Sequence, residues 1–322
     1  MKLGVFNPLF NELTLDEMLD TVVERGLETV EVGTGGNPGS AHIDVDKLLE
    51  SSEARKAYLK KFADKGLTIS AFSTHNNPIS PDKETAKKAD ESLRKTIKLA
   101  HLMDVPVVNT FSGISSANEE DKEINWPVIP WPNEYADNYH YQWEKKLIPY
   151  WKEINQIAKE ADVKIGIEMH GGFLVHTPYT MLKLREEAGD QIGCNFDPSH
   201  MWWQGIDPVA AIKILAAEDA IYHFHAKDTY LDQDNINMYG LTDMQPYSDV
   251  RTRAWTFRSV GEGHSLEDWS EMIAALRIYG YDYVLSIEHE DPIMSIDEGL
   301  NRAIRNLQSI MIKEEPNEIW WV

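Results

Sequence analysis

Four short stretches decide how this chain is read: KIGIEMH at 164–170, IGCNFDPSH at 192–200, IYHFHAKD at 221–228 and YVLSIEHED at 283–291. Each is a short run rich in Ile, Val, Phe and Tyr, the composition of a parallel strand buried on both faces. Each run stops on a side chain that ligates metals. If the four strands belong to one barrel, their ends bring Glu168, Asp197, His225 and Glu288 to a single point. Three carboxylates and one imidazole suit a divalent cation such as Mn²⁺, Mg²⁺ or Co²⁺, with positions left for the oxygens of a polyol. A buried polar network without metal is the alternative, but three converging carboxylates with no cation repel one another strongly.

Working outward, strand patterns and helix patterns alternate along the whole chain. KLGVF at 2–6 precedes TLDEMLDTVVERG, where Thr14 and Glu17 form a capping-box spacing and Gly26 closes the helix. ETVEVG at 28–33 reads as the next strand, followed by a Gly/Asn/Pro loop over 33–40 and a polar helix near 52–65. LTISAF at 67–72, a long amphipathic helix over 84–103 and VPVVNTF at 105–111 continue the alternation. Helices are expected near 142–161, 178–188, 208–217 and 266–279, each leading into one of the four ligand-bearing strands, with a last helix over 295–312. Eight β/α units favour a single α/β domain over 1–322, a closed (β/α)₈ TIM barrel rather than an open doubly wound sheet. The first strand is not followed by the GxGxxG of a dinucleotide-binding turn, which weakens the open-sheet alternative.

Two segments break the rhythm. Residues 112–141, with NWPVIPWPNEYADNYHY, follow strand four, and residues 229–264, with Tyr230, Tyr239, Tyr247, Trp255 and Arg258, follow strand seven. Their aromatic content argues against disorder. Both insertions are expected on the C-terminal face of the barrel, where such folds build their sites. They supply either aromatic walls for a sugar ring or aglycone, or a subunit interface.

Composition sets the limits. With 53 acidic and 31 basic residues the net charge is −22, which repels phosphate backbones and anionic lipid, so neither nucleic acid nor membrane is an expected partner. The single cysteine, Cys194, lies in an apolar strand and reads as buried filler, consistent with a reducing compartment. The N-terminal stretch carries Glu12, Asp16, Glu17 and Asp20 where a signal peptide is apolar. No apolar run approaches the roughly 20 residues of a membrane span. A cytoplasmic protein is expected.

The segments IEMHGGFLVHTP, NFDPSHMWWQGIDP, HFHAKDT, FRSVGEGH and SIEHEDP, taken together and in order, resemble the sugar phosphate isomerase/epimerase family of xylose-isomerase-like barrels over nearly the whole chain. The resemblance implies one divalent metal, Mn²⁺ first, held by Glu168, Asp197, His225 and Glu288. It also implies that Glu168 and Glu288 flank the substrate carbon that loses or gains a proton, and that His200 contacts a substrate hydroxyl. The branch also resembles C-glycoside deglycosidase α subunits, which act with a small β subunit on 3-oxo-glycosides. The implied partners are therefore a small sugar or glycoside and either further copies of this chain or a small second subunit.

The chemistry suggests the remaining candidates. Removing a proton α to a sugar carbonyl requires a positioned base and a group that holds the enediolate oxygens. Glu168, Glu288 or His170 supplies the base; His75, His200, Lys227 and Arg258 are the candidate substrate contacts. Each has a structural alternative: His75 bonding a loop backbone, Lys227 pairing with Asp228, Arg258 anchoring its loop. His223 reads as a core or supporting histidine, His289 and Glu290 as groups that orient Glu288, and Trp320-Trp321 as a packing or interface pair. The carbanion is common to isomerisation, epimerisation and elimination, so these motifs do not separate the outcomes. A metal-dependent endonuclease is disfavoured by the net charge, a metal-free glycosidase by the accompanying Asp and His, and a non-catalytic sugar-binding subunit by four intact ligands.

Overall fold

β-Branched segments of four to six residues form the staves of the structure, a computed structural model that describes residues 1–314, 318, 319, 321 and 322. In chain order the strands are β1 (Lys2–Phe6), β2 (Thr29–Gly33), β3 (Thr68–Ser73), β4 (Val107–Phe111), β5 (Lys164–Glu168), β6 (Ile192–Phe196), β7 (Ile221–Ala226), β8 (Asp228–Leu231), β9 (Trp255–Arg258) and β10 (Val284–Ile287). Eight of them close into a barrel in the order β1-β10-β7-β6-β5-β4-β3-β2. All of its pairings are parallel. The helices Leu15–Glu24, Ser52–Ala63, Lys83–Leu102, Ile148–Ala161, Pro178–Ala188, Pro208–Ala216, Leu266–Ile278 and Ile296–Ile310 cover it, one for each barrel strand. The expected (β/α)₈ TIM barrel is the observed one.

Local chemistry sets the boundaries. Thr14 and Glu17 cap Leu15–Glu24 reciprocally, and Gly26, at φ +71°, turns the chain out of the helix. Burial of Ile165, Ile167, Ile192, Cys194, Phe196, Phe224, Leu285 and Ile287 joins the ligand-bearing strands to one apolar core. Burial raises the Cys194 thiol pKa, in keeping with inert filler. No helix among the described residues is long and apolar enough to cross a membrane. Trp320 of the suggested terminal pair lies outside the described residues.

Both insertions are ordered, as their aromatic content implies, and both contain regular elements. In 229–264 the chain forms an antiparallel ribbon of β8 and β9, pairing Thr229 with Phe257 and Leu231 with Trp255. Cross-strand aromatic and β-branched pairs stabilise such ribbons. The Asp228 carboxylate anchors the ribbon by accepting from the backbone N–H groups of Gly261, Gly263 and His264 and from Trp269 Nε1. Gly263 lies so close to the Thr229 carbonyl that a Cβ there would stand 2.5 Å from it.

In 112–141 a helix runs over Asn133–Tyr141 and passes through a π-helical turn, Gln142–Leu147, into Ile148–Ala161. The helix expected near 142–161 thus begins earlier. Gln142, fully buried, ties the insertion down by donating to the carbonyls of Ser115 (2.8 Å) and Asn125 (2.6 Å).

Candidate metal centre

Glu168 is the last residue of β5, His225 the penultimate residue of β7, and Asp197 and Glu288 follow β6 and β10 directly. Because parallel strands of a barrel end on the same face, one ligand atom from each lies within 4.8 Å of the other three. Asp197 is fixed by capping the short helix Pro198–Trp202, its Oδ1 accepting from the Ser199 N–H at 2.8 Å. That leaves Oδ2 buried with no donor in good hydrogen-bond geometry among the described residues, its nearest neighbour being the Lys227 ammonium at 3.1 Å; His225 Nδ1 is likewise buried and faces only carboxylate oxygens. The imidazole Nδ1 stands 3.0 Å from Glu288 Oε2 and 3.2 Å from Glu168 Oε2. One buried acidic oxygen and one buried imidazole nitrogen thus converge with two further carboxylates. This is a donor set suited to a hard or borderline divalent cation, which would replace the His225 Nδ1 proton and compete with Lys227 for the same carboxylates.

A second acid–imidazole group, Glu31 with His223 and His225, lies deeper in the barrel. Its chemistry is different because Glu31 is already saturated. Its carboxylate accepts from Ser73 Oγ, from Asn109 Nδ2 (2.9 Å), from Ser286 Oγ (2.8 Å) and from His225 Nε2 (2.9 Å). A fully buried carboxylate is tolerated only when so satisfied. Burial opposes its charge, yet His225, His223 and the hydroxyl donors outweigh that and hold its carboxyl well below the usual range. Glu31 therefore orients His225, fixing Nε2 as the donor and turning Nδ1 to the cluster, the arrangement by which an outer carboxylate presents a ligating imidazole.

The upper cluster crowds carboxylates together out of water, and Lys227 and His225 are their counter-charges in the cation-free protein. Burial opposes both of those charges, but the carboxylates outweigh it and hold the two pKa values well above the usual. Burial and the charges of Glu168 and Glu288 raise the Asp197 carboxyl to about 7 against the pull of Lys227. Glu168 is also penalised by burial, but bonds from His200, His225 and His75 keep it well below its ordinary range. Lys227 Nζ, itself buried, stands 3.1 Å from Asp197 Oδ2, 2.8 Å from Glu288 Oε2 and 2.9 Å from Glu290 Oε2.

The structure brings most of the sequence-derived candidates together. His200 Nε2 lies 3.1 Å from Glu168 Oε1, and its Nδ1 accepts from the Trp203 indole N–H at 3.3 Å, which leaves the ring proton on Nε2. Burial pushes its pKa down to about 3. His75 Nε2 lies 3.0 Å from Glu168 Oε2. His170, also lowered by burial, packs 4.1 Å from His200, centroid to centroid, over the cluster. His75, His170, Lys227, Glu168, Glu288 and Glu290 line a cavity of about 300 Å³ at this face. Lys227 does not make the alternative pair with Asp228, whose carboxylate is spent on the ribbon.

Arg258 is not brought to this cavity; its Nε donates to Asp291 Oδ2 at 3.1 Å and holds β9 to the segment after β10. Of the groups expected to orient Glu288, Glu290 does so through Lys227, whereas His289 faces the helix Ile296–Ile310, beside Gly299. His223, bonded to Asn195 Oδ1 at 3.0 Å, is a core histidine.

Sequence reading missed Glu31, Trp203 and Arg253. Glu31 had a signal: it is the one charge inside TVEVG, between valines, and such a charge in a doubly buried strand requires a partner. Trp203 and Arg253 had none, because their roles arise from loop folding.

A family model described as xylose isomerase-like TIM barrel matches residues 19–310. The uncharacterized protein YfiH of Bacillus subtilis (strain 168) is 34% identical over 311 residues, 96% of this chain and 98% of that protein. Among solved structures, 3-keto-D-glucoside 4-epimerase, YcjR, from E. coli superposes with a TM-score of 0.65 at 12% identity, covering 96% of this chain and 99% of that one. IOLI protein with a binding zinc atom superposes with a TM-score of 0.65 at 16% identity over 96% and 98%. At these identities the two structures establish a shared fold.

Proposed function

Because the chain belongs to the xylose isomerase-like TIM-barrel family, we propose that it is a divalent-metal-dependent sugar isomerase or epimerase that removes a proton α to a sugar carbonyl through an enediolate. The observation that carries this reading is the convergence of Glu168, Asp197, His225 and Glu288, one ligand atom of each lying within 4.8 Å of the others. When bound by Glu168, Asp197, His225 and Glu288, the cation, Mn²⁺ first and Mg²⁺ or Co²⁺ next, supplies Lewis-acid stabilisation of developing negative charge on the sugar oxygens.

The side chains divide the remaining work. Glu288, 15% exposed against 3% for Glu168, is the more accessible carboxylate for proton transfer, with Glu168 on the other side of the site. His170, kept neutral by burial, is a third proton acceptor at the rim. His75, which lines the cavity, is read as a hydroxyl contact; His200, whose Nε2 proton lies on Glu168 in the cation-free protein, would become one only where Glu168 turns to the cation. Lys227, the one lysine or arginine in the cavity lining among the described residues, is committed to three carboxylates, which favours an uncharged sugar over a sugar phosphate.

If the sugar carries a carbon substituent at C1 and a ketone at C3, the electron pair left at C2 forms a C1=C2 double bond as the C1–C bond breaks. The departing carbon, which takes that bonding pair, is protonated by the acid form of the group that removed the C2 proton or by water. This lyase outcome is the second reading, favoured by the aromatic cavities that adjoin His170. Exposed Val128, Ile129, Trp131 and Met244 on the insertions support self-association or a small second subunit, and the composition supports a cytoplasmic setting.

The test is deuterium uptake at sugar C2 in D₂O, followed by NMR over ketoses, inososes and 3-oxo-glucosides, with Mn²⁺ and with chelator. Metal-dependent uptake with an epimer or isomer as product supports the first reading, and released aglycone the second. A metal-loaded protein that exchanges no proton from any of these sugars refutes enolisation.

A further inference from the structure

Three cavities meet at His170. The metal-side cavity of about 300 Å³ shares His170 and Glu290 with a second of about 480 Å³, and the second shares His170 and Tyr247 with a third of about 460 Å³. A monosaccharide needs only the first. The other two are built by the insertions and walled by Tyr247, Phe257, Trp255, Trp203 and Trp126. Trp203 and Trp255 stack at 4.7 Å with a 10° tilt, and Trp203 packs so tightly under the backbone of Gly171 that a Cβ there would stand 2.1 Å from the indole. The Trp203–Trp255 part of the wall is thus closely packed before any ligand arrives.

One polar group in it is incomplete. The Arg253 guanidinium lies between the rings of Tyr247 (4.3 Å) and Trp255 (4.4 Å), and its side chain is only 3% exposed. Nη1 donates to the Gln245 carbonyl at 2.7 Å and Nε to that of Trp255 at 3.3 Å, while Nη2 has no hydrogen-bond partner among the described residues. A buried guanidinium N–H left unpaired is costly, and an oxygen acceptor that reaches Nη2, covered in the free protein, as the exposed Tyr247 ring shifts removes that cost. Asp243, 3.8 Å from Nη1, and Glu290 on the cavity wall already supply negative charge. The missing acceptor is therefore an uncharged oxygen rather than an anion.

We propose that the substrate is a sugar carrying a second ring, and that this ring lies against Tyr247, Trp255 and Phe257 with an uncharged hydroxyl or carbonyl oxygen on Arg253 Nη2. The proposal rests on the enolisation reading for the sugar end alone. Ring stacking and one hydrogen bond to a charged donor each contribute roughly tenfold in affinity.

Dissociation constants of methyl, phenyl and 4-hydroxyphenyl 3-oxo-β-glucosides and of a 3-oxo-disaccharide, measured on the Mn²⁺-loaded protein, test it. The ringed ligands bind about tenfold tighter than the methyl glycoside, and the 4-hydroxyphenyl ligand tighter still. The stronger of the hydroxyphenyl ligand and the disaccharide identifies the ring type. In Tyr247→Leu, whose site is largely exposed, and in Arg253→Met, that preference collapses toward one; the Tyr247 variant covers a folding failure of the other. Equal affinities for all four ligands in the wild type overturn the subsite. C2 exchange on the methyl glycoside, run alongside, reports separately on enolisation: a ring preference without exchange supports the subsite while refuting the enolisation.

Discussion

His225 and Glu31 meet inside the barrel with Nε2 2.9 Å from Oε2, while the opposite ring nitrogen faces the cation cluster. One side chain thus belongs to two carboxylate shells, and the inner shell decides how the outer one is presented.

The first prediction follows. Glu31→Gln keeps the shape of the inner network but lets the amide compete for the His225 ring proton. Mn²⁺ affinity is expected to fall roughly 10- to 100-fold, the usual cost of losing an outer-shell carboxylate. Titration calorimetry of wild type and variant checks this; equal affinities assign Glu31 to the barrel core alone.

Proton competition at Asp197 gives the second. In the cation-free protein its carboxyl is raised to about 7, above its value in an unfolded chain. The empty fold therefore loses stability as pH rises from about 4 toward 7, because the unfolded chain releases this proton first. A cation must displace that proton, so Mn²⁺ affinity falls by up to tenfold per unit below about pH 7 and levels above it. Affinities measured across that range test the sign; a curve that stays flat down to about pH 5 contradicts it.

The third concerns the wall beside the cluster. Gly171→Ala drives a methyl group into the Trp203 ring, and Trp203 in turn donates to His200. Overpacking of this kind costs about 1–3 kcal/mol. Thermal denaturation is expected at lower temperature, and 1H–15N spectra of labelled histidine show His200 displaced from its Nε2–H tautomer. An unchanged melting curve excludes the packing argument.

Much of this site was legible because strand ends are legible. Four apolar runs that stop on Glu168, Asp197, His225 and Glu288 specify their own convergence once eight strands close, and their backbone periodicity is local. His75, His170, His200 and Lys227 follow because each lies one to three residues past such a strand end or within the turn it begins. Arg258 looked equivalent by the same rule, but it ends a ribbon strand that does not belong to the barrel, so its neighbours are Asp291 and the β10 loop. Glu31 was hidden by the opposite effect: its partners Asn109, His225 and Ser286 come from three strands far apart in sequence, and no local pattern announces them. The aromatic subsite depends on how two insertions fold against each other, and their composition specifies only that they are ordered.

The last prediction separates Lys227 from the ligands it touches. Its ammonium stands within 3.1 Å of Asp197, Glu288 and Glu290, so in the empty protein it carries part of the compensation that a cation would supply. Burial works against its charge, but the surrounding carboxylates outweigh burial and hold its pKa well above the usual lysine value. Lys227→Met retains the stem against Phe257, over which the chain now lies with Nζ 4.5 Å from the ring centroid. It also leaves the carboxylates uncompensated, a change that typically costs about 3–5 kcal/mol when a buried pair is broken. The cation-free variant is therefore expected to melt well below the cation-free wild type. Saturating Mn²⁺ recovers most of that difference, because the added positive charge now meets carboxylates with no competing ammonium. The stabilisation by Mn²⁺ is consequently larger in the variant than in the wild type, and the Mn²⁺ affinity is higher, while C2 exchange falls if Lys227 also holds a substrate oxygen. Melting curves with and without Mn²⁺ decide the point: an equal metal-induced shift in both proteins means that Lys227 and the cation do not share the same carboxylates.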